Sequence, residues 1–123
     1  GFSSVVPRTR IGLVAARRRE EHGRVEVDVY YTRLPGRVPE TVFLLDPMLA
    51  TGLTAARAIE ILAERGARRV VMGSVIASRE GVDRVLSTGI ATVYTLALDP
   101  MLDDRFFIVP GLGDAGDRAL GPG

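Results

Sequence analysis

Three short apolar runs constrain this chain more than any other feature. They are Thr41 to Leu45 (TVFLL), Val70 to Ile76 and Ala91 to Leu96, and helix-length segments separate them. The first intervening segment, Thr54 to Arg65, places Ala55, Ala58, Ile59 and Leu62 on one face and Arg57, Glu60 and Glu64 opposite. Gly66 follows where a C-terminal cap glycine belongs. The second runs from an N-cap at Ser78 to about Leu86 and ends near Gly89. Strand, helix, strand, helix, strand is the order of a parallel sheet joined by right-handed crossovers. The expectation is an α/β fold, a parallel sheet flanked by helices, over residues 41–96.

Upstream, Val25 to Leu34 alternates: Val25, Val27, Val29 and Tyr31 face one way, Glu26, Asp28, Tyr30 and Thr32 the other. That period of two predicts a half-exposed strand. Paired with a strand at Arg10 to Ala16 across a charged turn, Arg17 to Arg24, it forms a hairpin arm over 10–34. Pro35-Gly36 ends it. Gly1 to Val6 reads as the tail of something that began upstream. Phe106 to Val109 is a short apolar run before a Gly-rich tail, and 106–120 forms a loop of its own. The 123 residues amount to one domain, and the 46% apolar content suffices for a core.

Composition excludes several chemistries. Cys is absent, which removes disulfides, thiolate metal sites and a Cys nucleophile. His22 is the one histidine, so no multi-His metal site forms. All sixteen basic residues are Arg, and without Lys there is no Schiff base and no Walker lysine. A net charge of +1 gives no general attraction to nucleic acid. No apolar run reaches the roughly 18 residues of a membrane span. Gly1 to Ser4 lacks a signal-peptide layout. The localisation expected is cytoplasmic.

Ligands of parallel α/β sheets sit at the carboxyl ends of the strands. There the first apolar run delivers Asp46, and the loop Pro47-Met48-Leu49-Ala50-Thr51-Gly52 leads to a helix N-terminus. Backbone amides of such a loop, the Thr51 and Thr54 hydroxyls and the helix dipole can cradle a phosphate, with Asp46 beside it to accept sugar hydroxyls. An ordinary strand-to-helix turn, with Thr51 or Thr54 as N-cap, accounts for the same spacing equally well. At the other end, Ile108 to Arg118 (IVPGLGDAGDR) can fold into a compact loop whose backbone edges read a flat ligand. Taken alone, a glycine-rich turn capped by Asp explains it better.

The strings themselves carry more than their spacing. VFLLDPMLATG resembles the donor loop of the type I phosphoribosyltransferases, and DPMLATG together with IVPGLGDAGDR resembles the uracil phosphoribosyltransferase family. The resemblance extends through GARRVVMGSVIASREGVDRV and VPRTRIGLVAARRREE, and so spans essentially the whole chain. It implies transfer of a ribosyl 5-phosphate group from 5-phosphoribosyl 1-diphosphate to uracil, giving UMP and diphosphate in pyrimidine salvage.

By resemblance, Asp46, Pro47, Met48, Leu49, Ala50, Thr51, Gly52, Leu53 and Thr54 bind the donor's ribose and 5′-phosphate. Arg18 binds its diphosphate, and Asp114 contacts the donor. Main-chain groups of Ile108, Gly113 and Ala115 hold uracil, with Asp114 alongside. No residue is implied as acid, base or nucleophile, and no side chain as a direct metal ligand. Mg²⁺ arrives with the donor, whether GTP activates is left open, and a homodimer is expected.

Two residues depart from the family pattern: Leu53 stands where the family has a second Gly, and Arg17 where it has Tyr. Family members are also longer, with upstream helices, a first core strand and an Arg-Ala-Gly-Leu-Gly loop. The expectation is therefore a domain incomplete at its N-terminus, with apolar surface uncovered on the sheet. It could be a fragment, a truncated gene product or half of an assembly, and a fragment is favoured. Two alternatives stay open: a non-catalytic UMP- or uracil-binding or regulatory module, and an interaction piece that keeps the loops without a ligand.

Overall fold

The computed structural model describes residues 2–99, 101–103 and 108–109. The chain divides into two compact units, Gly1–Arg37 and Val38–Gly123.

The first unit opens with a single helical turn, α1 (Phe2–Val5), and continues as a hairpin of β1 (Leu13–Glu21) and β2 (Arg24–Arg33). The charged run expected as a turn is strand instead. Arg17, Arg18 and Arg19 pair with Asp28, Val27 and Glu26, and the reversal takes only His22 and Gly23, at φ 52° and 72°. Positive φ at both central residues is the two-residue turn whose twist suits a hairpin. A two-stranded ribbon buries neither face fully, so charge does not exclude a strand here. Arg19 pairs with Asp28 at 3.3 Å, and the Arg17 guanidinium lies 5.5 Å from the Tyr30 ring centre.

A second departure lies in β2. Ala15 faces Tyr31 and Ala16 faces Val29, which leaves Tyr30 as an extra residue, a β-bulge. The bulge inverts the alternation beyond it. Val25, Val27 and Val29 are half-buried as expected, but Tyr31 is exposed and Thr32 half-buried, the reverse of the unbroken pattern.

The second unit is the parallel α/β layer. β3 (Thr41–Leu45), α2 (Leu53–Glu64), β5 (Arg69–Ser78), α3 (Arg79–Leu86) and β6 (Ala91–Asp99) follow the expected order. β5 is central, with β3 and β6 parallel to it on opposite edges. A two-residue strand, β4 (Met48–Leu49), lies within the loop after β3 and pairs with Ile76 and Ala77 farther along β5. The Pro47 carbonyl accepts from the amides of Val75 and Ile76, stitching the gap between β3 and β4.

Both helices have defined ends. Gly66, at φ 105°, closes α2: its amide donates to Ala63 O, and that of Ala67 to Leu62 O. This 5→2 and 6→1 pair satisfies carbonyls the helix leaves open. Ser78 caps α3, its hydroxyl oxygen accepting the Gly81 amide at 2.9 Å.

The strand order runs β3, β5, β6 in one direction, so two right-handed crossovers put α2 and α3 on the same face. Ala55, Ala58, Ile59 and Leu62 of α2 and Val85 of α3 are buried there, as are Val70 and Met72 of β5. The register sets Leu45, Gly73 and Tyr94 side by side on the other face, with Phe43 beside Val71. That face is apolar and open: Phe43 and Leu45 are half exposed, and Leu96 is 87% exposed. Parallel sheets normally carry cover on both faces. Beyond β6, β7 (Met101–Leu102) and β8 (Ile108–Val109) pair antiparallel.

Candidate functional site

The loop expected to bind the donor is built at the carboxyl end of β3. The Asp46 amide donates to Gly73 O at 3.1 Å, prolonging the β3–β5 ladder by one bond. Its side chain then turns back, and Oδ1 accepts the Met48 amide at 3.1 Å. This closes an Asx turn and sets the direction of the half-buried carboxylate. Leu49, Ala50, Thr51 and Gly52 are all buried. The Leu53 amide donates to Thr51 Oγ1 at 3.3 Å, and α2 starts there with no side-chain cap. Thr54 is half-buried in its first turn.

Gly52 takes φ 76°, the left-handed region. Leu53, expected from the resemblance to stand where the family has a second glycine, is the first residue of α2. Among the described residues only Arg8, His22 and four glycines take positive φ, so the loop demands that freedom at position 52 and not at 53.

The start of α3 packs behind the loop. The Ser78 hydroxyl donates to the Ala50 carbonyl and Arg84 Nε to the Thr51 carbonyl, the latter at 2.7 Å. Arg84 also reaches Glu80, one turn back, at 3.3 Å. Gly81 lies against the loop so closely that a β-carbon on it would come 2.5 Å from Ala50 O and 2.8 Å from Leu49 O. In front of Asp46 and Pro47, an open groove of about 720 Å³ runs over the exposed sheet face past Gly73, Tyr94 and Leu96.

The expected site residues Asp46, Pro47, Met48, Leu49, Ala50, Thr51, Gly52, Leu53 and Thr54 thus run without a break along the sheet's carboxyl edge, from the end of β3 through β4 into the first turn of α2. Arg18 lies in the other unit, exposed on β1 opposite Val27. Ile108 is in β8, paired with Leu102. Gly113, Asp114 and Ala115, and with them the C-terminal loop, lie outside the described residues. Sequence reasoning recognised Ser78 only as a helix cap and did not single out Gly81 or Arg84 for the site. Their contacts with the loop span about thirty positions, and no local pattern reports a contact at that range.

An acidic strand tip, a buried small-residue loop and a helix N-terminus at the carboxyl edge of a parallel sheet mark an α/β protein of the phosphoribosyltransferase-like fold. A family model described as "Uracil phosphoribosyltransferase" matches residues 1–121, and the chain belongs to that family. It is 59% identical over 122 residues to the uracil phosphoribosyltransferase of Aeropyrum pernix, covering 98% of this chain and 57% of that one. It is 52% identical to the enzyme of Pyrobaculum arsenaticum, covering 98% and 58%. Among solved structures, that of the AQ2163 protein from Aquifex aeolicus matches with a TM-score of 0.86 at 35% identity. The match covers 97% of this chain and 57% of that one. The chain therefore spans less than two thirds of the relatives it matches.

Proposed function

We propose that the chain carries the donor-binding and uracil-binding half of a uracil phosphoribosyltransferase, which converts uracil and 5-phosphoribosyl 1-diphosphate to UMP and diphosphate. The observation that carries the reading is the loop from Asp46 to Thr54. Its carboxylate is oriented by the Met48 amide, and its backbone is packed at the start of α2. Amides at a helix N-terminus suit the donor's 5′-phosphate, and the Asp46 carboxylate suits ribose hydroxyls. Arg18 takes the diphosphate, and Asp114 approaches the donor. Main-chain groups of Ile108, Gly113 and Ala115 read the edge of uracil.

The reaction breaks the C1–diphosphate bond and forms a bond from C1 to N1 of uracil, whose N1 proton passes to the departing diphosphate or to water, through a ribose with oxocarbenium character. Such a step needs positioning and charge stabilisation more than a nucleophilic side chain. That need accords with a chain free of Cys and Lys. Mg²⁺ comes with the donor, carried mainly by the donor's own oxygens, and no side chain is assigned to it. When bound with the donor, the ion supplies charge neutralisation on the departing diphosphate. The protein works as a homodimer in the cytoplasm, within pyrimidine salvage.

The test is formation of UMP from uracil and 5-phosphoribosyl 1-diphosphate with Mg²⁺. It is run on this chain and on a version extended to the relatives' full length. Product from either supports the reading. A chain that binds neither UMP nor the donor by calorimetry overturns it. The alternative reading is a UMP-binding module without turnover. Tight UMP binding with no product from either version would select it.

A further inference from the structure

Three successive carbonyls of the donor loop are turned toward α3. Ala50 O accepts the Ser78 hydroxyl, Thr51 O accepts Arg84 Nε, and Leu49 O lies against Gly81. In a planar trans peptide the C=O of one residue and the N–H of the next point in opposite directions. Fixing the carbonyls of Leu49, Ala50 and Thr51 on the α3 side therefore fixes the amides of Ala50, Thr51 and Gly52 on the side away from it. A backbone anion site needs this parity: amides converging outward, carbonyls withdrawn from the negative charge.

Ser78, Gly81 and Arg84 are spaced by three residues, so they line one edge of α3. Ser78 is completely buried and is held in place by the Gly81 amide it caps. Arg84 is held by Glu80 on its other side. The donors therefore stand ready before any ligand arrives.

Resting on the phosphoribosyl-transfer reading, we infer that Arg84 is a positioning residue for the 5′-phosphate. It acts through the Thr51 carbonyl to hold the Gly52 amide toward the phosphate, and Ser78 does the same for the Thr51 amide through Ala50. Arg84 touches neither substrate nor the reacting atoms. Its guanidinium is a charged donor, which strengthens its bond to a carbonyl relative to a neutral one. Removing the donor lets the Thr51–Gly52 peptide rotate and present a carbonyl where the phosphate should sit.

The experiment is calorimetry with ribose 5-phosphate and, separately, with uracil. It uses the wild-type chain, Arg84→Met and Arg84→Lys. Met keeps the apolar stem against Gly52 and removes the donor, whereas Lys restores a charged donor. The expected result is an affinity for ribose 5-phosphate about tenfold weaker in R84M, from loss of one charge-assisted hydrogen bond. R84K recovers most of that loss, and uracil affinity is unchanged in both. A merely structural role would lower both affinities in step with stability. If R84M binds ribose 5-phosphate as tightly as wild type, or loses uracil equally, the inference is overturned. Should R84M fail to fold, Arg84→Gln replaces it: this uncharged, weaker donor is expected to lose several-fold in ribose 5-phosphate affinity with uracil affinity unchanged, and wild-type affinity in R84Q overturns the inference. A wild-type chain that binds no ribose 5-phosphate overturns the functional reading itself, and this inference with it.

Discussion

A β-carbon added to Gly52 would stand 2.7 Å from the carbonyl oxygen of Gly81, so the two glycines meet backbone to backbone where the loop after β3 crosses the first turn of α3. Neither has room for a side chain, and Gly52 must also hold φ 76°.

The two positions should respond differently to alanine. At Gly81 the cost is crowding alone and is expected at about 1–3 kcal/mol. At Gly52 a left-handed backbone adds about another 1–2 kcal/mol. Urea unfolding of the two variants measures both, and Gly52→Ala should be the less stable.

Ser78 serves two partners at once, the Gly81 amide and the Ala50 carbonyl, in a fully buried position. Ser78→Ala leaves both without it and is expected to cost about 1–3 kcal/mol. Ser78→Thr keeps the hydroxyl and should lose less. A threonine variant as unstable as the alanine one would show that space, not hydrogen bonding, governs the position.

The hairpin turn depends on positive φ at His22 and Gly23. Gly23→Val is expected to destabilise the hairpin by about 1–2 kcal/mol, because a β-branched residue resists that region. His22→Asn should be neutral or slightly stabilising, Asn being favoured in such turns. Fluorescence of Tyr30 and Tyr31, which sit on the ribbon, follows its melting.

The two faces of the sheet should tolerate change unequally. Met72 has no exposed surface, and Met72→Ala is expected to cost about 2–5 kcal/mol. Leu96 is largely in solvent, and Leu96→Arg should change stability by less than about 0.5 kcal/mol. The same substitution should reduce binding of an apolar dye to the open face. A large loss of stability in Leu96→Arg would mean that something covers that face in solution.

Much of the α/β layer was legible because buried strands and amphipathic helices announce themselves by period. TVFLL became β3 at the expected residues, and Ser78 and Gly66 ended their helices as their chemistry requires. The family was legible from the loop strings alone, and the match over residues 1–121 bears that out. The hairpin was legible as an element, but its turn was drawn too long. RRREE looks like a turn only if a strand must bury a face, and a two-stranded ribbon need not. The bulge at Tyr30 leaves no trace in composition, because the residues that flank it are all good strand formers. The backing of the loop by Arg84 was invisible for another reason: it joins residues 33 apart.

The pairing of β3 and β4 with consecutive stretches of β5 governs how the site moves. Loops generally breathe independently of the sheet that bears them. Here Asp46 and Pro47 alone separate two paired strands, and both are themselves bonded to β5 residues. The amides of Met48 and Leu49 should therefore exchange with deuterium on the slow timescale of the sheet interior, and those of Ala50 and Thr51, turned away from α3, faster. Little ordering entropy then remains to be lost by this stretch of backbone on binding, and the fold has met that cost in advance.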